Sequence, residues 1–162
     1  MKTTEQRDAG ARPTNAKEST DLRALADRAL FPVWHTDILR LSDIDHQGHV
    51  NNAVHLTLYT NGRYYFIERH LRPCLPKRTG FAVAKIAIEY LGEMHLPGEV
   101  ECGTLIRRIG RTSLIFGQAL FKDGKCAAVS ETVMVIVDAD SRRPLPLTPA
   151  AIALLERFRQ PA

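Results

Sequence analysis

Hydrophobic positions along this 162-residue chain change period twice, and the changes mark out its elements. Over residues 33–41, Trp34, Thr36, Ile38 and Arg40 alternate with His35, Asp37, Leu39 and Leu41, the period-two pattern of a strand with two usable faces. Residues 52 to about 70 switch to helical spacing. There Val54, Leu58 and Tyr65, with Ala53, Leu56 and Ile67, make a broad apolar face, and Pro73 and Pro76 close the segment. Gly62 sits inside that helix at a cost of about 1 kcal/mol relative to alanine. It predicts close packing against a strand or against the same helix of a second copy. Alternation then returns in four segments, residues 81–90, 99–109, 112–121 and 127–137, and in the first of them Ala82, Ala84, Ile86, Ile88 and Tyr90 share one face. Turn residues separate them, and the Asp-Gly pair of Lys122-Asp123-Gly124-Lys125 predicts a type I′ hairpin. Shorter helices are expected over residues 21–30, with Thr20 as cap, and from Thr148-Pro149 to about Phe158.

A strand, a long helix and four hairpin-joined strands admit one economical packing. The class is α+β, a curved antiparallel sheet of about five strands wrapped around one long central helix. Such a sheet keeps a free edge, and a long edge strand invites pairing with another copy, so a homodimer or homotetramer is expected.

Composition narrows the function without naming it. With 44% hydrophobic and 25% charged residues, the chain reads as one globular domain over residues 31–160, preceded by a flexible arm over residues 1–30 that carries the short helix. The net charge of +4 comes with no block of basic residues, which argues against nucleic acid and suits an anionic small molecule. No stretch approaches the roughly 20 apolar residues of a membrane span. The first twenty residues lack the apolar core of a signal peptide, so a cytoplasmic protein is expected. Cys74, Cys102 and Cys126 are odd in number and unpaired by any CxxC spacing, which reads as free thiols in strands or core.

The densest chemistry lies in Arg40-Leu41-Ser42-Asp43-Ile44-Asp45-His46-Gln47-Gly48-His49-Val50-Asn51-Asn52, between the first strand and the long helix. A carboxylate there faces unpaired backbone N–H groups and the positive end of the helix dipole, a setting that holds anions and stabilises a developing oxyanion. The bland alternative for Asp45 is a helix-terminal acid with no chemistry. Asp43 is expected to fix the loop by hydrogen bonds, and Asn51 and Asn52 both suit the N-cap, Asn52 more so. Asp43, Asp45, His46, His49 and His55 are metal-type ligands, but they crowd one segment with no distant partner, so no metal is expected. His35, His70 and His95 belong to no evident constellation.

The string Asp43-x-Asp45-x-x-Gly48-His49-Val50-Asn51-Asn52, following a strand and opening a long helix, resembles the hotdog-fold thioesterases, closest to their 4-hydroxybenzoyl-CoA thioesterase-like branch. The resemblance implies an acyl-CoA thioesterase with no cofactor beyond the coenzyme A of its substrate. It places the catalytic acid on Asp45, as nucleophile or general base, and the backbone N–H that polarises the carbonyl on Gly48. His49 and Asn51 follow from the similar Asp-x-Asn-x-His-Val-Asn-Asn string of plant acyl carrier-protein thioesterases, in which Gln47 replaces the asparagine. No glutamate stands mid-helix, where other hotdog thioesterases carry one; Glu68 lies further on and is not assigned. Tyr59, with Tyr64, Tyr65 and Phe66, would line an acyl pocket or form core. Arg107, Arg108 and Arg111, with Thr112 and Ser113, would bind the coenzyme's phosphates across a subunit interface or form a solvated turn. A non-catalytic acyl-CoA-binding protein and an enoyl-CoA hydratase-type hotdog enzyme remain the alternatives.

Overall fold

The computed structural model describes residues 21–160. Its frame is one five-stranded antiparallel sheet: β1 (Val33–Ile38), β2 (Thr79–Tyr90), β3 (Glu99–Ile109), β4 (Ser113–Lys122) and β5 (Lys125–Asp138), in the order β1-β3-β4-β5-β2. Helix α1 (Asn52–Phe66) lies across one face and runs on through a π turn (Ile67–Leu71) and a 3-10 turn (Arg72–Cys74); α2 (Pro149–Glu156) closes one end. Asp123 and Gly124 both have positive φ, 51° and 75°, as a type I′ turn between β4 and β5 requires. No helix among the described residues is long and apolar enough to cross a membrane.

Period-two alternation decides which side of the sheet each residue serves. Cys102 and Ile106 of β3, Phe116 and Leu120 of β4, and Met134 and Ile136 of β5 face the helical layer, while Leu105, Ala119, Phe121 and Val129 face the other way. That second face is covered by Leu22, Leu25 and Phe31. The short segment before β1 is therefore packed. Two 3-10 turns, Leu22–Ala26 and Arg28–Leu30, replace the expected α-helix. Asp27 divides them by turning its carboxylate onto the amide of Ala29 at 2.9 Å, and ten residues are too few to sustain an isolated helix. Asp21, not Thr20, caps the first turn; Thr20 lies outside the described residues, as does the rest of the expected arm. Arg28 fastens this cover to the sheet with a bidentate pair to Glu101 at 2.7 and 2.8 Å, its guanidinium 4.1 Å from the Trp34 ring.

Two further expectations change. In β2 the register slips at Ala84, between the Val83–Met134 and Lys85–Val133 pairs, so the clean alternation expected from Ala82 onward is broken. The bulge reverses parity, which lets Phe81 and Ile88, an odd and an even position, both pack toward the helix side. The inward face of α1 is also rotated from the purely apolar one. It consists of His55, Leu58, Tyr59, Gly62, Arg63 and Phe66, while Leu56 and Tyr65 are exposed.

The charged member of that face, Arg63, is paired with the sheet. Buried Arg63 donates to Gln118 Oε1 at 2.9 Å, Thr132 Oγ1 at 3.2 Å and Thr60 Oγ1 at 3.0 Å. Gln118 returns its amide to the Tyr59 carbonyl at 3.0 Å and to Thr104 Oγ1 at 3.1 Å. A β-carbon on Gly62 would meet Cys102 Sγ at 2.5 Å, so the mid-helix glycine marks a close approach to β3. At the far end, past the last β1 pair at Thr104, the chain after α2 lies along β3, where the Ile106 amide donates to the Phe158 carbonyl at 2.9 Å.

Gly62→Ala should cost about 1–3 kcal/mol through overpacking, although alanine is the better helix former. Urea unfolding followed by circular dichroism measures it, and a gain in stability would contradict the close approach.

Candidate active site

Between β1 and α1 the chain makes a 3-10 turn (Leu41–Asp43) and then a narrow loop closed by an antiparallel bridge between Ile44 and Val50. Three backbone hydrogen bonds build it. Asp45 N donates to His49 O at 2.9 Å, Gly48 N to Asp45 O at 3.1 Å, and Val50 N to Met94 O at 2.8 Å. Gly48 holds φ at +83°, a left-handed conformation that a β-carbon would strain, which explains the glycine in the string. Asp43 acts as a brace. Its Oδ2 accepts from Arg40 N at 2.7 Å and its carbonyl accepts from Asn51 N at 2.8 Å.

Asp45 is half-buried at the centre of this loop. Its Oδ1 accepts from Gln47 N at 2.8 Å and His49 N at 3.3 Å, whereas Oδ2 has no partner among the described residues. One oxygen holds the turn and the other stays open. The amides of Gln47 and His49 hold the carboxyl below the usual aspartate range, with help from the imidazoles of His46 and His49. The helix cap is Asn51, whose Oδ1 accepts from Ala53 N at 2.9 Å; Asn52, the stronger expectation for that role, is instead the first helical residue. The amide of Asn52 has no acceptor among the described residues.

The geometry bears on other expected site residues. Gly48 N–H, the amide the resemblance assigns to the substrate carbonyl, is engaged by Asp45 O here, and the open donor beside it is Asn52 N–H. His49 turns its side chain toward Glu93 and His95 in the β2–β3 connection. Nothing in the sequence singles out Glu93 or joins His95 to the loop, because both stand far along the chain from it; only the fold places them beside it. Tyr59 is fully buried in the core, its Oη without a partner, and burial pushes the phenol well up from its ordinary value. His55 is buried as well, its Nδ1 3.2 Å from Asn51 O, and burial favours its neutral form. Glu68 pairs with Arg72 one turn along at 2.8 Å. Burial pushes the Cys102 thiol up to about 12, which makes it a core residue and not a nucleophile.

The arginine turn lies elsewhere. Glu99, at the start of β3, pairs with Ile38 beside the loop, and Ile109 is ten residues along the strand, roughly 30 Å away at the rise of an extended chain. Arg107 is committed to Glu131 at 2.8 Å, half-hidden against β5. Arg108 and Arg111 are exposed and show no acidic partner among the described residues, next to Thr112 and Ser113. Within one chain these residues do not share a site with Asp45. A concavity of about 920 Å³ runs along the second half of α1 past His35, Asn61, Tyr65 and Glu68, also away from the loop. A smaller one of about 530 Å³ adjoins the loop's partners, between Glu93, His95, Pro97, Lys122 and Lys125.

A curved five-stranded antiparallel sheet around one long helix, with a polar loop at the helix N-terminus, is the hotdog architecture. The chain belongs to the thioesterase-like superfamily, whose family model matches residues 39–156, and it is a thioester hydrolase. Three solved structures illustrate the likeness. The PA5185 protein from Pseudomonas aeruginosa is 25% identical over 83% of this chain and 96% of its own, with a TM-score of 0.73. A predicted thioesterase from Bacillus stearothermophilus is 26% identical over 80% and 100%, at 0.70. A thioesterase from Thermus thermophilus, solved with coenzyme A and Zn, is 30% identical over 80% and 95%, at 0.68. No curated protein matches the sequence at a significant level.

Because the folded-state pKa of Asp45 is depressed, its support of the loop is complete above the unfolded value and fades as pH falls through the lower, folded one. An NMR titration of the Gln47 and His49 amides should show a shared midpoint below about 3.9, the value of a free aspartate.

Proposed function

We propose that the chain hydrolyses an acyl-CoA thioester to a free acid and coenzyme A, with Asp45 as the catalytic carboxylate. The observation that carries this reading is the division of labour at Asp45. Oδ1 is held by two backbone amides, while Oδ2 is free, ionised and next to a helix N-terminus. Such an oxygen can abstract a proton from water or attack the thioester carbonyl directly, and the Asn52 amide with the helix dipole would take the negative charge that develops on the carbonyl oxygen. The side-chain amide of Asn51, at the helix start, would orient water or substrate, and His49 would act through its backbone, which holds Asp45. The coenzyme A bound to the Thermus thioesterase supports the choice of substrate class.

The full site, in this reading, needs two chains. Arg108 and Arg111, too far from their own Asp45, would reach the phosphates of a coenzyme held mainly by a second copy. Edge strand β2 would pair with its counterpart, where Val83 is 52% exposed. Acyl-CoA chemistry and three free thiols fit the cytoplasm.

Asp45→Asn keeps an acceptor for the two turn amides and removes the charge. A thiol-release assay over short, long and aromatic acyl-CoAs should show kcat reduced by about 10² or more with the melting temperature little changed. Wild-type turnover in that variant would refute the assignment. Light scattering should give about twice the 18.1 kDa chain mass, falling toward one chain in Val83→Asp; a single-chain mass for the wild type would refute the dimer.

A further inference from the structure

His49, from the loop before α1, meets Glu93 and His95, from the connection between β2 and β3, in an arrangement that ion pairing does not explain. His49 Nε2 lies 3.3 Å from Glu93 Oε2, and His95 Nε2 lies 3.4 Å from the same oxygen. A charge-assisted N–H···O bond closes to about 2.7–2.9 Å, so both contacts are too long for one. The two rings stand edge to face with centroids 4.9 Å apart, and the three candidate donor atoms all fall within 4.8 Å of one another. In tetrahedral coordination with bonds of about 2.0–2.1 Å, neighbouring ligand atoms are separated by about 3.3 Å. The two imidazole-to-carboxylate separations, 3.3 and 3.4 Å, have that length.

Tautomer chemistry points the same way. His95 Nδ1 sits 3.1 Å from the carbonyl of Gly48, the only kind of partner to which that nitrogen must donate. With the proton on Nδ1, a neutral imidazole presents a bare lone pair at Nε2, aimed at a carboxylate oxygen. Two electron-rich atoms facing each other call for a cation between them, either a proton on Nε2 or a metal ion shared with His49. A histidine whose far nitrogen donates to a backbone carbonyl is also the usual way a metal-binding imidazole is oriented.

We propose that His49 Nε2, His95 Nε2 and the Glu93 carboxylate form a binding site for one divalent transition-metal ion of the zinc type. Two imidazoles and one carboxylate suit zinc and its first-row neighbours, whereas calcium and magnesium prefer all-oxygen sets. The His49, His95 and Glu93 side chains are 30%, 53% and 64% exposed, so water completes the coordination and the ion exchanges with solvent. Its effect is mechanical. The backbone of His49 holds Asp45 through both its amide and its carbonyl. Fixing the His49 side chain to the β2–β3 connection therefore fastens the Asp45 loop to the sheet. The site stands whether or not Asp45 performs the chemistry.

The test is titration of the chelator-treated full-length protein with zinc chloride by calorimetry, alongside cobalt(II) absorption as a report of coordination. One zinc per chain at micromolar concentration is expected, with tetrahedral cobalt bands in the visible. Glu93→Gln and His95→Ala should each weaken binding by about tenfold or more. His46→Ala, which removes an exposed imidazole of the same loop outside the cluster, should leave it unchanged. Thermal melts of the zinc-free variants confirm that these surface changes leave the fold intact. Hydrogen exchange at the Gln47 and His49 amides should slow on adding zinc to the wild type but not to His95→Ala. The proposal is overturned by the absence of saturable zinc binding, or by binding that survives both Glu93→Gln and His95→Ala.

Discussion

The closeness of helix α1 to the middle of the sheet is the constraint on which everything else rests. Gly62 lets the helix backbone come down onto Cys102, and one turn of the helix on either side then falls within reach of Gln118. That glutamine accepts from Arg63 and donates to the Tyr59 carbonyl, so a single sheet residue grips the helix by side chain and by main chain. A buried guanidinium with no carboxylate beside it is costly unless its donors find acceptors, and here two hydroxyls and an amide oxygen serve its two terminal nitrogens, while Nε has no partner among the described residues. The same contacts fix the helix in rotation and in translation. A helix held at its middle has its N-terminus placed as well, and that terminus is where the loop bearing Asp45 must attach.

The loop is built so that its chemistry does not depend on mobile side chains. The bonds that shape it run through the backbone and through Asp43 and Asp45 themselves, with one more from His95 Nδ1 to the Gly48 carbonyl. Two carboxylates two residues apart divide the work: Asp43 ties its side chain and its carbonyl to the approach to the helix, and Asp45 holds the turn with Oδ1 and its carbonyl while Oδ2 stays open. The result is an ionised oxygen held rigidly without being neutralised. Amide hydrogen bonds achieve this better than a neighbouring lysine would, because they lower the pKa without placing a counter-ion where substrate must come.

Sequence patterning captures the sheet well because strand alternation is a local, period-two signal, and β3 is legible from end to end, Glu99 to Ile109. The Asp-Gly turn and the start of α1 are equally legible, since both follow from local conformational preference. The inward face of α1 is not. Periodicity seeks apolar stripes, whereas this helix buries a histidine, a glycine and an arginine, and the arginine's sheet partners come from strands more than fifty residues later. The bulge at Ala84 is invisible for a related reason: nothing in a run of Ala, Val, Lys and Ile says where one residue will be left unpaired. Asp45 stands out by its neighbours in the string, but Glu93 and His95 do not, because the connection that brings them to His49 is a property of the whole sheet.

The long axis of β3 also explains why a site of this kind would be shared between chains. An antiparallel meander sends consecutive turns to opposite ends of the sheet, so the turn at Gly110 cannot stand beside a loop that abuts Glu99. Lengthening a side chain does not bridge roughly 30 Å. Within one chain, the cations at this end of the sheet are Arg40 of the loop itself and Lys122 and Lys125 of the β4–β5 hairpin, of which Lys122 pairs with Asp123 at 2.7 Å. A polyanionic coenzyme bound at the loop would meet these and, in the proposed dimer, the exposed Arg108 and Arg111 of the second copy. Antiparallel pairing of two β2 edges, as proposed, would reverse the second sheet end for end, and that reversal would carry a distant turn back toward the first chain's Asp45 loop.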